Sequence, residues 1–322
     1  MDYLKYVIAV GILLIVGLLY ERLKVRDLLD EERRNYELVK KYFINETSSV
    51  SVNKLPIIWI HLDYERNSRY WQSFYSRMTN DLNQPYLNLT MQSIIDKCKN
   101  SFNICVINDE SFSKLLPKWN VNLSSVSDPI KSKLRDIAIM KVLNVYGGIR
   151  MPASVLCKND LIDLYNYNVS DNKMFVVEMP NRTSTSDMND LLPSDVIVGS
   201  GKNNSKLGEY ISYLENLVST DNTDESNFVG MKGLWLKERI NYGEINVVKG
   251  KYFGVVDNEE RIVNIDRLMS DEDIVFERDL YGVYIPSNEI LKRTKYQWFA
   301  RLSKEQIMDS HNMIGRIISS SL

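Results

Sequence analysis

Six polar side chains lie at the ends of predicted strands or on one predicted helix, where they could bind a phosphate or move a proton. They are His61, Asp109, Asp136, Arg150, Ser154 and Asp195. A carboxylate holds a divalent cation or acts as a general base, whereas a guanidinium grips a phosphate through two parallel N–H donors. Arg150 therefore predicts binding of an anionic ligand, and the carboxylates predict either metal binding or proton transfer.

Histidine and cysteine are too scarce for two other kinds of site. His61 and His311 are the only histidines, so the chain has few histidines from which to build a zinc site or a Ser-His-Asp triad. The three cysteines are odd in number and lack metal-like spacing, which argues against a disulfide framework. The formal net charge of −2 gives no sign of broad nucleic-acid binding, so we expect no nucleic-acid partner.

The N-terminal residues 1–26 predict a membrane anchor. Residues 6–20 carry no charge, and with their apolar flanks they can cover a hydrocarbon core of about 30 Å. The competing interpretation is a cleaved signal peptide, but no small-x-small cleavage site follows the run. Three basic residues between positions 22 and 26 follow the span, whereas Lys5 alone precedes it. The positive-inside rule then predicts a single-pass membrane protein whose globular part is cytoplasmic.

The rest of the chain divides into a stalk and one globular domain. Residues 27–54 are first charged and then polar, which predicts a helical stalk followed by a linker. The chain as a whole is 44% hydrophobic and 25% charged, as in globular proteins with a core. No second domain boundary interrupts residues 55–322, so we expect one domain there.

Apolar runs and helical periodicity alternate from residue 55 to residue 156. Continuous apolar runs predict buried strands, and apolar residues at helical spacing predict helices packed on them. Strands are expected at 55–62, 102–107 and 149–156, and helices at 69–77, 89–99, 111–116 and about 129–146. This alternation predicts an α/β fold with a mostly parallel central sheet. Ligands of such sheets bind beyond the carboxyl ends of the strands, so residues 61–63, 108–109 and 150–154 should converge on one cleft.

The pattern after residue 156 is less regular. It predicts strands at 173–178 and 196–198, a helix at 207–217, a polar loop at 219–227, a hairpin of 244–248 and 251–256, and a final helix within 301–318.

Residues 55–156 resemble glycosyltransferases of the capsular-polysaccharide-synthesis and mannosyltransferase type. The matching pieces are the opening strand at 55–61, the strand that ends in Asn108 and Asp109, and the helix that ends in Gly147-Gly148. The resemblance implies a nucleotide-sugar-binding α/β domain of the kind called GT-A. It also implies a nucleotide-sugar donor, with a glycan or protein as acceptor. The C-terminal residues additionally resemble membrane proteins of large DNA viruses that carry the same altered core.

The resemblance breaks where the family binds its metal. A short strand after Gly-Gly there delivers an Asp-x-Asp pair, which holds the divalent ion at the donor diphosphate. These two positions fall on Pro152 and Ser154, and neither brings a negative charge to a hard cation. The family's helix Asp falls on Asp136, where it would contact the nucleoside, and an Arg three residues later falls on Ile139. The resemblance therefore implies a degenerate site without a metal cofactor, in which Arg150 is a partial substitute.

Three candidate residues have a structural interpretation beside the functional one. His61 could lie near a donor phosphate or be an ordinary structural histidine. Asp109 could bind a nucleoside or cap the helix that follows it. Asp195 could be the acid nearest the acceptor, which makes it the candidate catalytic residue, or it could cap a helix or a turn.

Asp136 and Arg150 also have both a functional and a structural interpretation. Asp136 could contact a ligand or form a salt bridge with Lys133 or Lys141 on its own helix. Arg150 could bind a phosphate or be a surface arginine at the start of a strand.

Two functions follow as hypotheses. The first is a membrane-anchored glycosyltransferase that moves a sugar from a nucleotide donor without a metal. The second is a catalytically inactive relative that serves as a membrane or virion component and binds partners through the same domain. The missing metal acids favour the second hypothesis, whereas Asp136 and the recognisable strand ends favour a surviving ligand site.

Overall fold

The structure is a computed structural model that describes residues 55–62, 84–116, 118–181, 191–220 and 225–321. The predicted anchor, stalk and linker before residue 55 lie outside the described residues, as does the predicted helix at 69–77. Within the described part of the chain, no helix is long and apolar enough to cross a membrane.

A six-stranded sheet forms the centre of the domain, in the order β2-β1-β3-β6-β5-β7. The pairs β1–β2, β1–β3 and β5–β7 are parallel, and β6 runs antiparallel to both of its neighbours. Two further short strands, β4 and β8, pair with each other in a second sheet. The strands are β1 (Ile57–His61), β2 (Asn103–Ile107), β3 (Gly148–Arg150), β4 (Val155–Cys157), β5 (Met174–Pro180), β6 (Leu191–Ser200), β7 (Asn246–Val248) and β8 (Gly282–Tyr284). The prediction of an α/β fold with a mostly parallel sheet is confirmed.

Ten α-helices connect or flank these strands in the described ranges. They are α1 (Pro85–Cys98), α2 (Ser111–Leu115), α3 (Ile130–Tyr146), α4 (Ile162–Val169), α5 (Ser205–Ser219), α6 (Glu225–Asn241), α7 (Ile265–Leu268), α8 (Ser287–Lys292), α9 (Lys304–Met308) and α10 (Met313–Ser319).

One face of the sheet packs against α3, α5 and α6. Trp59 of β1 and Val198 of β6 are fully buried there, together with Tyr210 of α5 and Leu236 of α6. Alternate residues of a strand point to opposite faces, so a side chain in register with Trp59 also faces these three helices. Arg150 pairs with Trp59 and with Val198, which brings a guanidinium to the apolar face of the sheet.

The turn after α3 sets the position of Arg150. Gly147 and Gly148 have φ of +71° and +107°, a region that side-chain-bearing residues rarely adopt. A Cβ at Gly148 would lie 2.0 Å from the carbonyl oxygen of Ile57, so only glycine lets β3 approach β1 this closely. The indole N–H of Trp59 donates to the carbonyl oxygen of Gly147 at 2.9 Å and holds the turn against β1.

The single strand predicted at residues 149–156 is wrong. The structure has two three-residue strands there, β3 in the central sheet and β4 paired with β8. Pro152 lies between them and has no N–H to donate to a ladder, so the chain leaves the central sheet at this point.

Three later predictions are also corrected by the structure. Residues 244–248 and 251–256 form no hairpin, because β7 pairs in parallel with β5 and residues Gly250–Phe253 form a 3₁₀ helix. The predicted final helix is two short helices, α9 and α10. The predicted polar loop at 219–227 overlaps α6, which begins at Glu225.

Candidate functional site

The carboxyl ends of β1 and β2 carry two of the predicted residues into direct contact. His61 Nε2 lies 3.0 Å from Oδ1 of Asp109, and the imidazole stacks on the ring of Phe112 with centroids 5.1 Å apart. Arg135 of α3 holds the same carboxylate with two donors, Nε to Oδ1 at 2.9 Å and Nη2 to Oδ2 at 2.7 Å. The predicted convergence is present in part: His61 meets Asp109, with Arg135 as an added member, whereas no described contact joins Arg150 or Ser154 to this group.

The charge of Asp109 is fixed by this arrangement. Burial raises the pKa of the carboxyl group, but the hydrogen bonds from His61 and Arg135 outweigh it and hold the pKa well below its usual range. The helix-cap alternative for this residue is not realised, since α2 has no side-chain cap of its own. Asp109 is thus a charged anchor between two strand ends and α3.

A second group of charges lies beside the first, and we call it the four-charge cluster: Asp136, Arg150, Asp195 and Lys232. The four residues come from α3, β3, β6 and α6 respectively. Lys232 Nζ lies 2.9 Å from Oδ2 of Asp136 and 3.0 Å from both carboxylate oxygens of Asp195. Arg150 Nη2 donates to Oδ1 of Asp136 at 2.6 Å.

The topology explains why these residues meet. Asp136 is in the second turn of α3, which begins at the carboxyl edge of the parallel strands and returns to the amino end of β3. Arg150 is the last residue of β3. Because β6 is antiparallel to β3, its first half, with Asp195, lies at the same edge of the sheet.

Aromatic side chains enclose the four-charge cluster. Tyr210 donates its hydroxyl to Oδ2 of Asp195 at 3.0 Å and is fully buried. The ring of Phe228 lies under two ammonium groups, 5.1 Å from that of Lys232 and 4.8 Å from that of Lys133. A ring face at this distance attracts a cation, so Phe228 adds to the stabilisation of both lysines.

Opposite charges balance within the four-charge cluster. The side chains of Lys232 and Asp195 are only 9% and 5% exposed, where an unpaired charge is costly. Burial lowers the pKa of Lys232, but the carboxylates of Asp136 and Asp195 outweigh that effect and raise it. Burial likewise raises the pKa of Asp136, but Lys232 and Arg150 hold it well below its usual range. Both groups therefore stay charged at neutral pH.

Arg150 retains an unused hydrogen-bonding group. Its Nη1 atom is buried and has no hydrogen-bond partner among the described residues. Burial lowers the pKa of the guanidinium, and the charges of Asp136 and Asp195 outweigh this and raise it. A charged nitrogen with two spare donors at the carboxyl edge of the sheet suits an oxyanion.

The two positions aligned with metal-binding acids differ in their surroundings. Ser154 is only 3% exposed, and its backbone oxygen accepts a hydrogen bond from the N–H of Ile285 at 3.0 Å. The preceding residue, Ala153, accepts from the hydroxyl of Thr90 in α1 at 2.6 Å. Pro152 is partly exposed. No described contact joins Ser154 to the four-charge cluster, and the described residues contain no group of three His, Cys, Asp or Glu side chains that could hold a metal ion.

The structure thus groups the predicted residues into two neighbouring clusters and one separate position. His61 and Asp109 meet Arg135, whereas Asp136, Arg150 and Asp195 meet Lys232; Ser154 lies apart. Reasoning from the sequence missed Arg135, Lys232, Tyr210 and Phe228. Arg135 lies directly before Asp136, a residue that the sequence already singled out, and this adjacency was an available signal. Lys232 had no such signal, because its partner Asp136 lies 96 positions away along the chain.

Comparison with known proteins gives a likeness of fold only. No protein-family model and no curated protein matches the sequence. Among solved structures, the chain is similar to the PaToxG glycosyltransferase at 12% identity and a TM-score of 0.34, over 58% of this chain and 70% of that one. It is similar to the galactosyltransferase LgtC at 11% identity and a TM-score of 0.34, over 61% and 74%. A third is the glycosyltransferase GlyE of Streptococcus pneumoniae TIGR4, at 12% identity and a TM-score of 0.36, over 63% and 48%.

Proposed function

We propose that this protein binds a nucleotide-sugar donor at the carboxyl edge of its sheet and transfers the sugar to an acceptor without a divalent ion. The supporting observation is the four-charge cluster, which places Arg150 and Lys232 where ligands of parallel sheets bind. The Nη1 donors of Arg150, which no described residue uses, are fixed in a partly buried site, where a preorganised donor is effective toward a phosphate oxygen. The acceptor, a glycan or a protein, is left open by these residues.

Each residue has a role in this proposal. The spare Nη1 donors of Arg150 bind a phosphate oxygen, and Asp136 fixes the guanidinium while it contacts the nucleoside. Asp195 lies beside Lys232 and orients the acceptor hydroxyl. His61 and Asp109 line the neighbouring strand ends. In the transfer, the sugar carbon forms a bond to the acceptor oxygen as its bond to the diphosphate oxygen breaks. The nucleoside diphosphate leaves with that electron pair, and its released oxygen takes up the proton of the acceptor hydroxyl.

The affinity of the full-length chain in detergent for UDP-, GDP- and CMP-sugars is measured by isothermal titration calorimetry. Each titration is done once with manganese and once with chelator. We expect one donor class to bind equally well in chelator. Arg150→Gln should weaken that binding about 10- to 100-fold, because it removes a charge-assisted hydrogen bond worth about 1.5–3 kcal/mol.

A matched control removes one cation at the other edge of the sheet. Lys202 is exposed and follows β6 next to Gly147, so Lys202→Gln should leave donor affinity unchanged. Equal losses in both variants would mean that only net charge matters. Full affinity in a folded Arg150→Gln variant would contradict the site assignment.

A second candidate function is a non-catalytic binding or structural component, and one observation favours it. Both carboxylates of the four-charge cluster already have cationic partners, which leaves neither as an obvious base. Release of free nucleotide from the bound donor, with and without added acceptor sugars, separates the two candidates. Binding of a donor without any release of nucleotide would favour the non-catalytic function. Absence of binding to every donor would contradict the proposed donor site and would also favour the non-catalytic component.

We further propose that residues 1–26 anchor the chain in a membrane as a single span, with residues 55–322 on the cytoplasmic side. The support is the uncharged run at 6–20 and the excess of basic residues after it. In sealed vesicles with cytoplasmic side out, protease should remove the globular part and leave a short protected fragment. Protection of the globular part would reverse the orientation, and recovery of the intact chain in a carbonate wash would contradict the anchor.

A further inference from the structure

A basic segment near the C-terminus takes no part in the candidate site. Residues 290–304 contain five lysines and arginines and no acidic residue, although the whole chain has 40 basic and 42 acidic residues. Trp298, in the middle of this segment, is 48% exposed. The segment therefore combines a local excess of positive charge with one exposed indole.

Three exposed side chains recur at every third residue of this segment, which is a series of tight turns. Tyr296 N–H donates to the carbonyl oxygen of residue 293 at 2.9 Å, Phe299 N–H to that of Tyr296 at 3.0 Å, and Leu302 N–H to that of Phe299 at 3.2 Å. Such bonds are of the 3₁₀ type, and residues Phe299–Arg301 form a short 3₁₀ helix. Lys295, Trp298 and Arg301 are the three exposed side chains, and we call them the basic ridge.

Two other side chains of the same turns are buried in the core. Tyr296 is 5% exposed and Phe299 is fully buried. The ring of Trp298 meets that of Phe299 edge to face, with centroids 5.8 Å apart, which holds the indole in place. The basic ridge is therefore a fixed surface feature.

Nearby acids neutralise the ridge only in part. Asp266 lies 2.7 Å from Arg293 and 3.7 Å from Lys295, so its nearer partner lies outside the ridge. The Lys295 side chain is 75% exposed, and an exposed pair at that distance contributes little. Arg301 is exposed and has no ion pair among the described residues.

We propose that the basic ridge docks on an anionic phospholipid surface. Lysine and arginine are attracted to anionic headgroups, while indole prefers the boundary between headgroups and acyl chains. One indole between two cations matches that boundary, with the ring at acyl-chain level and the charges among the phosphates. A nucleic-acid or polysaccharide surface would use the cations but leave the central indole without an apolar environment. This inference is independent of the donor site.

The test measures contact between Trp298 and lipid directly. Full-length chain is incorporated into nanodiscs whose lipids carry bromine on the acyl chains, and tryptophan fluorescence is compared with that of the Trp298→Phe variant. The difference isolates one indole, because both proteins share the other four tryptophans. We expect the Trp298 signal to be quenched in discs with about 30% phosphatidylserine, and to recover in 0.5 M salt as the charges are screened.

Charge variants test the role of the cations. Each lysine or arginine near an anionic surface contributes about five-fold. Lys295→Gln with Arg301→Gln should therefore lower the ratio of docked to undocked protein roughly 25-fold. The control pair Lys202→Gln and Lys237→Gln removes the same charge from exposed positions elsewhere and should preserve quenching.

Three results would overturn the proposal. One is the absence of Trp298 quenching in phosphatidylserine discs, and another is equal quenching in discs of phosphatidylcholine alone. The third is protection of the amides of residues 292–304 from hydrogen exchange by soluble heparin or DNA but not by phosphatidylserine discs, which would assign the ridge to a different polyanion.

Discussion

Replacing Lys232 by methionine should lower the free energy of unfolding by about 3–5 kcal/mol, since removing one member of a buried ion pair leaves uncompensated charge. Asp195 would keep only the hydroxyl of Tyr210, and Asp136 would keep only Arg150. Methionine has a similar volume and remains apolar next to Phe228, so packing changes little. Urea unfolding of the full-length chain in detergent, followed by circular dichroism, measures the effect.

A rescue variant separates lost charge pairing from lost packing. Adding Asp195→Asn to Lys232→Met removes the carboxylate that lost its closest cation, so the double variant should be more stable than the single one. Lys237→Met on the same helix changes an exposed lysine and should stay within about 0.5 kcal/mol of the wild type. A Lys232→Met variant as stable as this control would mean that the four-charge cluster adds nothing to folding.

The local sequence predicts elements well where one physical signal dominates. The apolar runs at the start of the domain form the buried strands β1 and β2, and the helix expected at about 129–146, with Gly-Gly after it, matches α3 within a few residues. In these places burial and backbone conformation both follow from neighbouring residues.

Prediction fails where pairing between distant segments decides the structure. Residues 244–248 and 251–256 each have strand character, but β7 finds its partner in β5, some seventy residues away. The split of 149–156 depends on Pro152 and on β8, which supplies a partner for β4. Local pattern carries no information on such partners.

The same limit applies to the site. The carboxyl ends of parallel strands lie at the same edge of a sheet. Because His61 ends one predicted strand and Asp109 follows the next, their contact could be expected from the sequence. The pairing of Asp136 with Lys232 joins residues 96 positions apart and depends on how α6 packs over β6. A salt bridge from Asp136 to Lys133 or Lys141 was the local alternative, and the described partners of Asp136 are instead Arg150 and Lys232.

An acid at position 154, which the sequence resemblance aligns with a metal-binding Asp, should destabilise the protein and should not create a metal site. Ser154→Asp places a carboxylate at a site that is only 3% exposed, with no described cation beside it. We expect a loss of about 3–5 kcal/mol in the free energy of unfolding, the usual effect of an unpaired buried charge. Manganese should not restore the loss, because the described residues offer no further acids to complete a hard-cation site. Urea unfolding with manganese and with chelator gives both values.

The neighbouring position is the control. Pro152 is partly exposed, so Pro152→Asp should cost no more than about 1 kcal/mol, chiefly through the greater freedom of the unfolded chain. A metal bound at a hundred times its dissociation constant would add about 2.7 kcal/mol. If manganese stabilises Ser154→Asp, or the double variant with Pro152→Asp, by that amount, this loop still has the geometry of a metal site. The absence of carboxylates would then be the only barrier to metal binding, whereas no response would mean that the loop packed under α1 and β8 has itself changed.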